Sequence, residues 1–133
     1  MCKRKWTINQ IEYFGKFWES RGRLFPINFD ELPFTPQRIF IVDNIPNCQV
    51  RGKHAHKTCE QTIFCLSGEV WVINYTYGEF RTNKMFPGQA LYIPPMMWSS
   101  QIFYEQGSIL VFASKTYDET DYIRNFEEYL EMI

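Results

Sequence analysis

Histidine is almost missing from this chain: there are two in 133 residues, both within Arg51-Gly52-Lys53-His54-Ala55-His56-Lys57. Excess charge is missing too. Fourteen basic residues face fifteen acidic ones with no basic stripe, which argues against a nucleic-acid backbone as partner. A small anionic ligand, needing only a few placed arginines, is not excluded. No apolar run approaches the length of a membrane span, and no apolar h-region follows the charged start Met1-Cys2-Lys3-Arg4-Lys5-Trp6. Neither a membrane partner nor a signal peptide is expected. The four cysteines, Cys2, Cys48, Cys59 and Cys65, form no C-x-x-C pair and no zinc spacing. They read as free thiols of a cytoplasmic protein. Repeats and low-complexity tracts are absent, and residues 1–133 read as one domain.

What the chain has is apolar and aromatic residues, 45% and 18%, which exclude disorder and suggest stacked or buried rings. Residues 1–37 are the least regular and read as an N-terminal edge segment. Ser20-Arg21-Gly22-Arg23 reads as a turn. Leu24-Phe25-Pro26-Ile27-Asn28-Phe29 reads as an edge strand, because proline cannot donate to a central ladder. From Arg38 onward short β-branched and aromatic runs alternate with turn residues. Turns are read at Asn44-Ile45-Pro46-Asn47, Ser67-Gly68, Tyr77-Gly78, Pro87-Gly88 and Glu105-Gln106-Gly107. The pattern predicts an all-β sandwich or barrel. Tyr122, Ile123, Phe126, Tyr129, Leu130 and Ile133 recur at helical spacing, so a short C-terminal helix is expected, capped by Asp118 or Thr120.

His54 and His56, two apart on a strand, share a face. Written out, His54-x-His56, four residues, Gln61, six residues, Gly68, then Gly88, five residues and Pro94-Pro95-Met96-Met97-Trp98-Ser99, resembles the two cupin motifs. The resemblance implies a cupin-type jelly roll. In metal-binding cupins two histidines, a glutamate and a further histidine hold a divalent ion. Here Gln61 and Ser99 occupy the last two places. Two neutral imidazoles alone make a poor site for a catalytic metal, so a site without metal or cofactor is expected. The histidines are then free to move protons.

The words Arg51–Lys57, Leu91-Tyr92-Ile93-Pro94-Pro95-Met96-Met97-Trp98 and Ala113–Arg124 resemble the nucleotide-sugar 3,4-ketoisomerases, as do Arg21-Gly22-Arg23-Leu24 and Arg38-Ile39-Phe40. That resemblance implies conversion of dTDP-4-keto-6-deoxyglucose into a dTDP-3-keto-6-deoxyhexose, a precursor of the 3-amino-3,6-dideoxy sugars of surface glycans such as lipopolysaccharide. It implies His54 as the base at C3, with His56 stabilising the enediolate or relaying the proton to C4. Histidine suits the task, being the side chain that titrates near neutrality. Gln61 can orient an imidazole or a sugar hydroxyl. Arg51 and Arg124 are candidate pyrophosphate or sugar contacts. Tyr122, Trp98 and Arg38 are candidates for lining the pocket. Ser99 stands where relatives often carry a basic residue and Phe40 where they tend to carry tyrosine. A homodimer is expected, with the 1–37 segment open to exchange between subunits. A metal-dependent cupin enzyme and a non-catalytic nucleotide-sugar-binding cupin are the rivals.

Overall fold

The computed structural model describes residues 4–15 and 22–133 and the backbone of 17–19. Ser20 and Arg21 of the expected turn, and Cys2, lie outside the described residues. The strands run β1 Glu12–Tyr13, β2 Phe17–Glu19, β3 Gly22–Leu24, β4 Arg38–Val42 and β5 Gln49–His56, then β6 Gln61–Thr76, β7 Glu79–Met85, β8 Gln89–Ile93, β9 Ser99–Ala113 and β10 Tyr122–Ile123, with one helix, α1 Phe126–Met132.

Two long strands organise the fold. β6 and β9 are antiparallel neighbours from Gln61↔Ala113 to Asn74↔Ser99. The turn expected at Ser67-Gly68 and the break expected at Glu105-Gln106-Gly107 therefore do not reverse the chain. They lie opposite each other as register shifts, with Gly68, Glu105 and Gln106 all at positive φ. Gly68 is required there, because a Cβ would collide with the Glu105 carbonyl. The bend divides each long strand. The first half of β6 and second half of β9 carry β8 with β1 on one side and β4 on the other. The remaining halves carry β7, β5 and β10.

Ile63 and Cys65 from one half of β6 meet Val70 and Val72 from the other in a single buried cluster with Met85, Leu91, Phe103, Ile109 and Val111. The sheet is thus folded over its own apolar face, each buried aliphatic side chain contributing about 1.5–3 kcal/mol. This is the antiparallel jelly-roll arrangement expected, but the sheet is not closed. The β6–β7 hairpin turns at Tyr77-Gly78, both at positive φ, as the right-handed twist of a two-residue hairpin demands.

Two local expectations are corrected. The edge strand read over Leu24–Phe29 stops at Leu24, where Pro26 offers no N–H. Phe25 and Ile27 instead pack on the second cluster, around Phe14, Phe64 and Phe112. The C-terminal helix starts later than expected, with Asn125 as its cap accepting from the Glu128 N–H. Asp118 caps a 3₁₀ turn at Glu119–Asp121. Tyr122 and Ile123, apolar at helical spacing, are taken by the open edge of β5 as β10.

Candidate active site

β5 carries both histidines, and an irregularity in it decides which way they face. Its register with β9 slips between Arg51↔Gln101 and His54↔Ser99, so Gly52 and Lys53 together oppose Ser100. Residues three apart on a regular strand face opposite ways. The extra residue puts Arg51 and His54 on the same inward side. The backbone accommodates it with φ +96° at Gly52 and φ +38° at Lys53. The positive φ favours glycine at 52, and a Cβ there would also displace the Gln101 amide, whose Oε1 would lie 2.7 Å away.

The bulge also turns the Gly52 carbonyl onto the His54 ring, with Nδ1 at 2.5 Å. A carbonyl can only accept, so Nδ1 carries the proton and Nε2 keeps its lone pair. Burial pushes the His54 pKa below its usual value, against a smaller opposing effect of the Gly52 hydrogen bond. His56 is 5% exposed, and burial, with the neighbouring His54, takes it down to about 4. Both imidazoles are therefore neutral near pH 7.

The two rings are 4.9 Å apart, edge to face, and Tyr122 touches both, at 5.0 Å from His54 and 4.3 Å from His56. Tyr122 is there because β10 pairs it directly with His56. Arg124 stacks 4.3 Å above the Tyr122 ring and makes a bidentate pair with Glu119 at 2.8 and 3.0 Å. This pair, with Tyr117 also donating to Glu119, forms an exposed rim over the histidines. Behind His56, the Asp121 carboxylate lies 3.6 Å from Nδ1. Thr58 N–H, Thr58 hydroxyl and Cys59 N–H fix that carboxylate. Burial would raise its pKa, and these hydrogen bonds together outweigh burial and hold it low. His56 Nε2 is buried with no hydrogen-bond partner.

The comparisons with known proteins bear directly on this arrangement. The family model described as FdtA: WxcM-like, C-terminal, matches residues 7–133. The chain belongs to the FdtA family. It is 34% identical, over 94% of each chain, to the TDP-4-oxo-6-deoxy-alpha-D-glucose-3,4-oxoisomerase of Aneurinibacillus thermoaerophilus. Among solved structures it is similar to a histidine-to-asparagine mutant of the 3,4-ketoisomerase QdtA from Thermoanaerobacterium thermosaccharolyticum, in complex with TDP-4-keto-6-deoxyglucose. That match has TM-score 0.85 and 31% identity, and covers 92% of this chain and 91% of that one. WlaRB, a TDP-quinovose 3,4-ketoisomerase from Campylobacter jejuni, matches with TM-score 0.81 and 30% identity over 92% and 96%.

The residues singled out from sequence divide within this FdtA-family fold. Arg51, His54, Gln61 and Tyr122 line one depression, opening into the barrel interior beside Phe40, Gln101 and Phe103. His56, Arg38 and Tyr122 line a second, with Thr58, Cys59, Lys115 and Asp121. Tyr122 is the wall between them. Arg38 also lies over the Phe40 and Tyr117 rings and keeps a buried, unpartnered Nε. Arg124 is at the rim. Like Arg124, two further candidates line neither depression. Trp98 is buried in the aromatic cluster with Phe126 and Tyr129 that seats α1. The Ser99 hydroxyl is spent on Asn74 Oδ1 at 2.7 Å.

The metal-binding cupin set does not form. Gln61 brings no negative charge, and Ser99 is committed to Asn74. Among the described residues the one convergent donor group is His56, Cys59 and Asp121, with donor atoms within 4.8 Å of one another, and it leaves out His54. Arg38 and Lys115 share that depression, and their positive charge opposes a cation. Asp121, Gly52 and Gln101 were missed from sequence. A glycine inside a strand pattern is a bulge signal and could have drawn attention to Gly52. Asp121 lies 63 positions beyond Thr58, and only the β5–β10 pairing brings it near.

Proposed function

We propose that this protein is a dTDP-4-keto-6-deoxyglucose 3,4-ketoisomerase in which His54 is the base. His54 Nε2 removes the C3 proton, the C3–H electron pair becomes the C3=C4 double bond, and the C4 carbonyl π pair moves onto the C4 oxygen, which becomes the enediolate oxygen. The C3 hydroxyl proton passes to the C4 oxygen and the imidazolium returns a proton to C4, by way of His56 in the relay reading, leaving a hydroxyl at C4 and the ketone at C3. The observation that carries the reading is the Nδ1–H donation from His54 to the Gly52 carbonyl. It leaves Nε2 as the free base of a neutral imidazole that lines a depression with Arg51 and Gln61. His56, with its unpartnered Nε2 held by a buried environment, serves the enediolate or relays the proton to C4. Gln61 orients the sugar. Arg51 and Arg124 meet the pyrophosphate, Arg124 exchanging its Glu119 partner for phosphate oxygens. Arg38 and Tyr122 line the approach. The relatives' names support the substrate class, and the steps need no redox cofactor or metal.

Incubation with dTDP-4-keto-6-deoxyglucose in D2O is expected to place deuterium at C4 of a 3-keto product, read by NMR. Tight binding without exchange would overturn the proposal in favour of a binding protein.

The product suits the 3-amino sugars of surface glycans, reached by transamination at C3. The chain acts as one domain and as a homodimer. Ile39 and Ile41 on the outer face of β4 are 48% and 57% exposed, an apolar stripe suited to a second copy. A monomer by light scattering would count against this. We place the enzyme in the cytoplasm, consistent with the free thiols of Cys48, Cys59 and Cys65. Among the described residues no helix is long and apolar enough to cross a membrane.

A further inference from the structure

We infer that Gln101, Ser99 and Asn74 are positioning residues that set the tautomer of His54 through the Gly52 bulge, so that the base is prepared from the neighbouring strands β9 and β6. This rests on the reading of His54 as the base.

The three side chains lie on the inward faces of β9 and β6, and Asn74 and Ser99 are direct cross-strand partners. Their hydrogen bonds have one consistent direction. Ser99 donates its only hydroxyl proton to Asn74 Oδ1 at 2.7 Å, and so can only accept from Gln101 Nε2, at 3.3 Å. That orients the Gln101 amide with its nitrogen toward Ser99 and its oxygen toward Gly52. At Gly52 an α-hydrogen points at Oε1, where a Cβ would come within 2.7 Å. The carbonyl oxygen thus seats the glycine α-carbon, a weak attraction whose value here is geometric.

Asn74 is fully buried and is itself held from behind. Its amide donates to Asn9 Oδ1 at 3.0 Å, an oxygen that also accepts from Asn83. Asn9, at φ +59°, donates onward to Thr76. The middle of this chain is rigid, because Asn74, Asn83 and Ser99 are buried and breaking a link there leaves a buried group unpaired. Its free end is the Gln101 carbonyl. The bulge it presses against is the one feature that aims the Gly52 carbonyl at His54 Nδ1. If the bulge relaxes, the carbonyl swings away, both neutral tautomers become populated, and the form protonated at Nε2 cannot accept the C3 proton.

The test combines a spectroscopic and a kinetic readout on the full chain. Nitrogen-15 NMR of the imidazoles should show His54 with a protonated Nδ1 and an unprotonated Nε2. Gln101→Met keeps the length and removes both polar atoms, and Ser99→Ala removes the link to Asn74. Both are expected to give mixed His54 tautomers and a roughly tenfold lower kcat, with KM for the nucleotide sugar within twofold. Ser99→Thr, which keeps the hydroxyl, should restore the single tautomer. Amide spectra of each variant check that the fold is intact. A single, unchanged tautomer in both Gln101→Met and Ser99→Ala would overturn the inference, as would a wild-type His54 protonated at Nε2. The tautomer is read without turnover, so this result stands apart from the base assignment, which His54→Asn judges by isotope exchange.

Discussion

The Gly52 carbonyl oxygen accepts from Nδ1 of His54, two residues further along the same strand, at 2.5 Å. Many catalytic histidines are oriented by a carboxylate. Here a backbone carbonyl does this, made available by a one-residue bulge. The neighbouring carboxylate, Asp121, lies instead beside His56. His54→Asn should therefore lower deuterium incorporation by about 10³-fold, within the range that removal of a general base costs. Binding of the nucleotide sugar, followed by calorimetry, should change little.

Gly52→Ala tests the bulge directly. The substitution forces φ +96° on an L side chain and drives a methyl against Gln101. It should lower unfolding free energy by about 1–3 kcal/mol in urea titrations and reduce kcat.

Stability should fall in mild acid. His56 is held down to about 4 against 6.5 when unfolded, so between those values the unfolded chain binds more protons. Its contribution is fully present above pH 6.5 and is lost as pH falls from there toward about 4. The slope integrates to about 3 kcal/mol. Urea midpoints measured across that window check this, and a His56→Gln variant should show a shallower dependence.

Arg124→Ala should raise KM for the nucleotide sugar by about tenfold, the loss of one charge-assisted contact, while kcat moves less. Glu119→Gln, by freeing the guanidinium from its present partner, should lower KM. Steady-state kinetics of the two variants together distinguish a phosphate contact from a purely structural ion pair.

Trp98 provides the contrast. It is 7% exposed, among Phe126, Tyr129 and Ala55, and lines neither depression. Trp98→Ala should cost about 3–5 kcal/mol of stability and release α1, seen as a lower Tm. KM of the protein that remains folded should be near wild type.

His54-x-His56, the glycine and proline turns and the β-branched runs were enough to read the antiparallel roll and the family. These are local properties: side-chain alternation, backbone conformations that demand glycine, and residue types matched to proton transfer. Besides the strand cut short by Pro26, local reading failed in two places, and both have a non-local cause. Ser67-Gly68 and Glu105-Gln106-Gly107 carry turn residues, yet the chain bends there without reversing, since the β6–β9 cross-strand bonds on either side outweigh local turn preference. Tyr122 and Ile123 fit a helix by spacing, yet the unpaired edge of β5 takes them as a strand.

The site divides in the same way. That His54 and His56 share a face was legible in their spacing. That Arg51 joins them, that Asp121 stands behind His56, that Ser99 is spent on Asn74 and that Trp98 holds the helix were decided by tertiary structure. Each depends on a bulge or on a contact between residues far apart in the chain, and no alternation along one strand encodes the slip of register against its neighbour.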